Sequence, residues 1–221
     1  MSQFAIWLDT FFADFDYSIL EFWHGVASSA GSVLTPLMEL ISLTADKGIM
    51  MILLGLVLIL FPKTRKAGIC VVSAVACGAL ITNVTLKPLI ARARPYDSDI
   101  YPIYREWWSL VGASTESDLS FPSGHATATA AALVGLTLSR GRKYLLLCIP
   151  YVAVMCASRN YLMVHYPSDV LAGVIAGSVG AVVAYFITRL IYNALLKSED
   201  KKFCSFILRS DIRNLFKPKN K

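Results

Sequence analysis

Charge is what this sequence has least of. Only 16% of its 221 residues are Asp, Glu, Lys or Arg and 56% are hydrophobic, whereas a soluble domain carries about 25% charged residues. That deficit excludes an ordinary soluble domain and leaves a membrane protein. Cysteine is present in no useful pattern: there are five, an odd number, and Cys70, Cys77, Cys148 and Cys156 lie inside apolar segments, where a thiol behaves as a small hydrophobe. A disulfide framework and a metal site are both excluded on that ground. No internal repeat, low-complexity tract or linker composition interrupts the chain, so it reads as one domain. No Lys or Arg precedes Lys47, and the basic n-region and small-residue cleavage site of a removable signal peptide are missing. The basic residues of the tail accompany no recognition module, which excludes nucleic acid as a partner.

Long apolar runs are what the sequence does have. Six of them, near residues 22–45, 48–61, 67–86, 122–138, 144–158 and 170–196, predict an all-α, polytopic membrane protein: a six-transmembrane-helix bundle over residues 18–196. The second run is short against the about 20 residues a bilayer core requires, and Lys47 and Lys63 lengthen its reach by snorkelling. Ahead of the bundle, residues 1–17 place Phe4, Trp7, Leu8, Phe11, Phe12 and Phe15 on one helical face with Asp9, Asp14 and Asp16 mainly elsewhere, the pattern of a helix lying in the interface. His24 and Glu39, near opposite ends of the first span, read as packing or cavity-wall residues. In the last span Gly173, Gly177 and Gly180 let a neighbouring helix come near.

The connections are short and basic, with one exception. Residues 62–66 and 139–143 are tight basic turns, whereas residues 96–120 form a long, aromatic and acidic connection, read both as an interfacial aromatic belt and as a partial lid, the two being compatible. The tail, residues 197–221, is basic and predicted to be cytoplasmic. It reads either as an amphipathic segment with Leu208, Ile212, Leu215 and Phe216 on one face, or as a solvated end.

Three motifs carry the chemistry. Lys87 and Arg94, in Lys-Pro-Leu-Ile-Ala-Arg-Ala-Arg-Pro, are two helical turns apart and face one way if the helix persists past Pro88, while Arg92 points elsewhere and reads as an interface cation. Pro122-Ser123-Gly124-His125 opens an alanine-rich helix, whose free N–H groups and dipole favour an anion. Ser158 to Asp169 contains Arg159, whose guanidinium forks onto an oxyanion, His165, a nucleophile or base, and Asp169, i,i+4 from His165 and close enough to hold its ring.

Together these read K-x6-R-P, P-S-G-H and S-R-x5-H-x3-D, a triple that resembles the signature of the type 2 phosphatidic acid phosphatase superfamily over residues 66–189. The resemblance implies that His165 attacks phosphorus to form a phosphohistidine, that Asp169 supports it, and that His125 protonates the leaving group and then activates water. It makes Lys87, Arg94, Ser123, Gly124 and Arg159 the phosphate-binding residues and requires no metal and no cofactor. The superfamily's vanadium haloperoxidases are soluble and longer, and six apolar spans argue against that branch. The expected substrate is a lipid phosphate or pyrophosphate in the bilayer, with undecaprenyl pyrophosphate first and phosphatidylglycerol phosphate or phosphatidic acid next. The reading of another class is a non-enzymatic lipid-phosphate transporter or binding protein.

Sidedness follows from the basic turns. Both fall on the side of the tail, which the positive-inside rule assigns to the cytoplasm. Six spans then return the N-terminal segment to the cytoplasm and leave the motifs on the extracytoplasmic side of a cell membrane.

Overall fold

The computed structural model describes residues 2–216, and the fold follows from where each apolar run meets a residue that stops a helix. Gly141, at φ 102°, ends the helix before it, Ala91 does the same in the left-handed region at φ 53°, and Pro167 occupies a first-turn position, where its missing N–H costs nothing. The resulting helices are α1 (Gln3–Phe11), α2 (Ala13–Leu43), α3 (Ile49–Ile59), α4 (Arg65–Ala79), α5 (Lys87–Ile90), α6 (Ile103–Leu110), α7 (Gly124–Arg140), α8 (Leu145–Tyr161), α9 (Pro167–Lys197) and α10 (Lys202–Arg209). Among the described residues the chain is all-α, as expected. Three helical segments among the described residues are long and apolar enough to cross a membrane: Ala13–Ile59, Arg65–Asp97 and Pro167–Lys197.

Helices α4, α7 and α9 form the centre. In lipid, apolar surface has nothing to gain by leaving its surroundings, so close contact between small residues has to hold helices together. Ala74, Ala131, Ala181 and Ala184 make one such buried seam. On α9 the expected glycines are where the approach is closest: a Cβ on Gly173 would lie 2.6 Å from the Ser123 carbonyl oxygen, and one on Gly180 would lie 2.8 Å from the Gly78 nitrogen. Either substitution would force two helices apart.

The structure corrects the reading of the first sixty residues. Two separate spans were expected; residues 13–59 instead form one kinked helical segment that is long and apolar enough to cross a membrane. At one end, Ser2 Oγ donates to Ile90 O at 2.5 Å, Ala5 and Leu8 pack on Ile90 and Phe121, and Leu20 and Ala27 pack under Tyr104, Trp107 and Tyr161. The first half of α2 therefore lies across the end of the bundle that holds the motifs. After a kink at Ala30 (φ −132°, ψ 16°) the helix descends to Thr44, which bonds Tyr151 midway along α8. There Lys47 and Gly48 turn at φ 48° and 70° and α3 continues to the other end. Run length had suggested that the break at 44–48 marks a membrane surface, but it lies inside the bundle, with Gly48 against Val75 and Ala128.

The basic turns and the tail meet at the opposite end. Arg140 Nη1 donates to Lys63 O at 2.9 Å, and the buried Arg65 donates to the carbonyls of Ile59, Ile207, Leu208 and Ser210. These bonds dock α10 on the bundle. Leu208 faces inward while Phe203 and Phe206 are exposed, so the expected amphipathic face is correct at Leu208; the side chains of Leu215 and Phe216, and residues 217–221, lie outside the described residues.

Candidate active site

Four helix ends and two loops converge at the motif end. The helix carrying Lys87 widens to i→i+5 turns over Leu80–Leu86, a local distortion common at functional sites, and stops at Ile90. It does not persist to Arg94 as the two-turn spacing assumed. Lys87 and Arg94 converge all the same, because Asp118 of the long connection pairs with both. Gly124 and His125 stand in the first turn of α7, Arg159 in the last turn of α8, His165 in the connection to α9, and Asp169 in the first turn of α9. Ser123 N donates to Asp169 O at 3.0 Å, tying two of the motifs together.

A cavity of about 140 Å³ is lined by Lys87, Arg94, Gly124, His125 and His165, with Asn83, Glu116 and Asp118. One water needs about 10–15 Å³, so a phosphoryl group has room. Arg159 does not line the cavity itself; it stands behind Glu116, with which it pairs, and also donates to Ser42 Oγ. Ser123 and Asp169 are likewise behind the wall. Ser123 Oγ and Arg159 Nε are buried without a partner among the described residues. Unmet buried polar groups cost free energy. A larger apolar groove of about 490 Å³ between α7, α8 and α9 lies toward the basic end, away from the histidines. His24 stacks on Trp107 at 4.8 Å between ring centroids, and neither it nor Glu39 lines the cavity.

The contact expected between His165 and Asp169 is indirect. His165 Nδ1 lies 3.6 Å from Asp169 Oδ2, too far for a hydrogen bond, and Ser120 stands between them. Its hydroxyl is 2.5 Å from Asp169 Oδ2 and 3.4 Å from His165 Nδ1. A guanidinium only donates, so Arg94 Nη1 needs an acceptor at His165 Nε2, which leaves Nδ1–H to donate to the Ser120 oxygen while the Ser120 proton goes to Asp169. That sets the tautomer: the lone pair is on Nε2, 3.3 Å from Arg94 Nη1. Burial holds the His165 imidazole well below its ordinary pKa, and Arg94 and Arg159 push in the same direction. The ring is neutral at neutral pH and its free nitrogen can attack an electrophile.

Three further features escaped the sequence. Arg92, taken for an interface cation, is buried and pairs with Asp9, Asp16 and Asp169. The helix from which its direction was computed ends two residues earlier. Asp9 and Asp16, read only as lying mainly off the aromatic face of an interfacial helix, reach Arg92; their i,i+7 spacing was the available signal. Glu116 and Asp118 supply the carboxylates for the three motif cations. Burial alone would raise the Asp118 carboxyl, but Lys87 and Arg94 outweigh it and hold it below its usual range.

Residues 67–194 match the family model described as the PAP2 superfamily, more than half of the chain. The chain belongs to the PAP2 superfamily. Relatives within it include the decaprenylphosphoryl-5-phosphoribose phosphatase of Mycobacterium tuberculosis, 38% identical over 57% of this chain and 64% of that protein. The undecaprenyl-diphosphatase of Sulfolobus acidocaldarius is 32% identical over 55% of each chain, and the lipid A 4'-phosphatase of Bacteroides thetaiotaomicron is 30% identical over 61% and 60%. The matched part thus spans less than two thirds of the length of each of these PAP2 relatives. No solved structure matches the chain.

Proposed function

We propose that the protein is a membrane phosphatase that hydrolyses the phosphate ester or pyrophosphate of a polyprenyl-type lipid without a metal. The observation that carries this reading is a buried, neutral His165 whose free Nε2 sits beside Arg94 in a cavity that also exposes Lys87 and His125. Phosphoryl transfer needs its equatorial oxygens neutralised and a nucleophile in line. Lys87, Arg94 and Arg159 supply the cations; Ser123 and the N–H groups at the start of α7 supply neutral donors.

His165 Nε2 forms a bond to phosphorus as the bond to the leaving oxygen breaks, and His125, protonated once the negative charge of the phosphate has entered beside it, gives that oxygen its proton. His125 then takes a proton from water, whose oxygen bonds to phosphorus as the nitrogen–phosphorus bond breaks. Asp169, through Ser120, holds the ring during both steps. Three of the relatives are named for lipid-linked phosphates, two of them polyprenyl, which supports undecaprenyl pyrophosphate or a polyprenyl monophosphate ahead of phosphatidylglycerol phosphate and phosphatidic acid. A second reading, a soluble sugar phosphate, rests on a 33% identical match to the glucose-6-phosphatase catalytic subunit 1 of Canis lupus familiaris.

Glu116 and Asp118 occupy the cations that phosphate would need, so the connection 96–120 acts as a lid whose acids leave when substrate enters. For topology we infer five passages: 13–59, 65–97, α7, α8 and α9. At about 1.5 Å per residue, the 17 residues of α7 and of α8 run most of the roughly 30 Å hydrocarbon core. With the basic turns cytoplasmic, the cavity and α1 both face the extracytoplasmic side. Cysteines at Thr10, Ser109 and Asp200 in a cysteine-free background test this: an impermeant thiol reagent should label the first two on intact cells and spare the third. Labelling of Asp200→Cys alone would invert the arrangement. The activity is tested by phosphate release from a lipid panel by detergent-purified protein. Release lost in His165→Ala supports the enzyme, and binding without release by wild type would favour a transporter or binding protein.

A further inference from the structure

Behind the cavity wall, on the side of Asp169 away from His165, lies a buried ionic cluster that the reaction as described does not use. Arg92 is 1% exposed and spends its donors on three helices: Nε on Asp9 Oδ1 at 2.7 Å, Nη2 on Asp16 Oδ2 at 2.9 Å, and Nη1 on Asp169 Oδ1 at 2.6 Å and Ser168 Oγ at 2.8 Å. Its plane lies over the Tyr166 ring, 3.8 Å from the centroid. Asp16 also accepts from Ser168 N at 2.8 Å and Ser168 Oγ at 2.7 Å, so a carboxylate from α2 caps the first turn of α9, where Asp169 is mounted. Asp169 is left with no freedom. One oxygen is fixed by Arg92, and the other by Ser120 at 2.5 Å and Tyr166 N at 3.1 Å.

We infer that Asp9 and Asp16, acting through Arg92, are positioning residues for the nucleophile: they hold Asp169 and Ser120 in the arrangement that leaves the free electron pair of His165 on Nε2. The chain of contacts runs Asp9 and Asp16 to Arg92, to Asp169, to Ser120, to His165, and every link except the half-buried one from Asp9 joins buried groups. The carboxylates on Arg92 have a second physical role. A guanidinium bound only to Asp169 would draw its charge away from the Ser120–His165 pair, whereas Arg92 shared among three carboxylates leaves Asp169 more basic toward Ser120. Buried hydrogen-bonded charges of this kind are coupled, so a change at one end is felt at the other. The N-terminal helices, apart from packing on the bundle, thereby become part of the site's machinery.

This inference rests on the phosphatase reading, and its test separates the two. Asp16→Asn and Asp9→Asn keep shape and remove one charge each. In purified full-length protein turning over a polyprenyl diphosphate, each should lower kcat about tenfold, as loss of a partner behind a functional histidine does in metal sites, with KM within about twofold. In an Asp169→Asn background, adding Asp16→Asn should cost less than about twofold more, because its route to His165 is already cut. Asp16→Glu should restore part of kcat. A purely structural role would give additive losses in the double variant, or stability loss without a change in kcat of the folded protein, and either result would overturn the inference. A readout free of substrate is the rate at which diethylpyrocarbonate modifies His165, followed by mass spectrometry. It should fall about tenfold in Asp16→Asn, again by outer-shell analogy, and an unchanged rate would overturn the inference. A wild-type protein that releases no phosphate, with His165 reactivity still dependent on Asp16, would sink the functional reading alone.

Discussion

Two sets of buried cations flank His165, and they differ in what neutralises them. On the cavity side Lys87 and Arg94 pair with Asp118, and Arg159 with Glu116, carboxylates whose side chains are 50% and 27% exposed on a connecting loop. On the far side Arg92 pairs with Asp9, Asp16 and Asp169, which are 9%, 3% and 0% exposed and mounted on helices. An exposed carboxylate regains water when it lets go, so its departure costs little and an incoming dianion can replace it. A buried one has nowhere to go, and losing its partner strands a charge. On the proposed function, the first set exchanges its anions for substrate and the second keeps them.

The largest effect that would sharpen this contrast is on stability. Arg92→Met leaves buried carboxylates unpaired and should destabilise the protein by about 3–5 kcal/mol, whereas Asp118→Asn removes a half-exposed carboxylate from two cations that line a cavity and should cost clearly less. Thermal unfolding in detergent measures both, and equal shifts would erase the distinction. Next comes the geometry of an exchanging cation. Arg159→Lys keeps the charge and loses the fork, so kcat should fall roughly 10²–10³-fold, the effect of one lost oxyanion donor. Near-wild-type turnover would make Arg159 only an anchor for Glu116.

The sign of the Asp118 effect is a finer test. If this carboxylate competes with substrate, Asp118→Asn should tighten inhibition by inorganic phosphate by a few-fold, of the order of a half-exposed ion pair. Weaker inhibition would mean that Asp118 helps bind the anion. The smallest expected effect is in pH. The pKa of His165 is lowered by burial, then by Arg94 and Arg159, so Nε2 stays unprotonated below the ordinary value of about 6.5 and kcat/KM should show no loss of nucleophile there. The unfolded chain takes up that proton first, so as pH falls below that value the contribution of His165 to stability declines. An acid limb near 6.5 in kcat/KM, matched by protonation of the His165 ring in an NMR titration of the wild-type protein, would contradict its burial.

How legible the site was depended on distance along the chain. Lys87, Arg94, Ser123, Gly124, His125, Arg159, His165 and Asp169 were named from short motifs because each motif is a helix end with its own local rules, and the structure gathers all of them at one end of the bundle. Their partners were missed. Ser120, Glu116 and Asp118 lie in a loop whose composition suggested a lid but not which acids meet which cations. Asp9 and Asp16 lie more than seventy residues from Arg92, and no spacing rule reaches that far. The direction of Arg92 was computed on a helix that Ala91 ends by turning left-handed at φ 53°.

The sequence by itself determined the solvent and the chemistry. A charge content of 16% with long apolar runs points to helices in lipid, because only an internally bonded backbone is tolerated there, and the three motifs pointed to the PAP2 superfamily to which the chain belongs. Tertiary structure decided the rest. Whether an apolar helix crosses the bundle or lies over its end depends on what it packs against, and α2 does both, with Leu20 and Ala27 beneath the aromatic residues of the long connection and Thr44 beside Tyr151. Which carboxylate meets which cation is likewise a matter of contact between distant segments. Burial, a property of the whole fold, then makes those pairs either exchangeable or permanent.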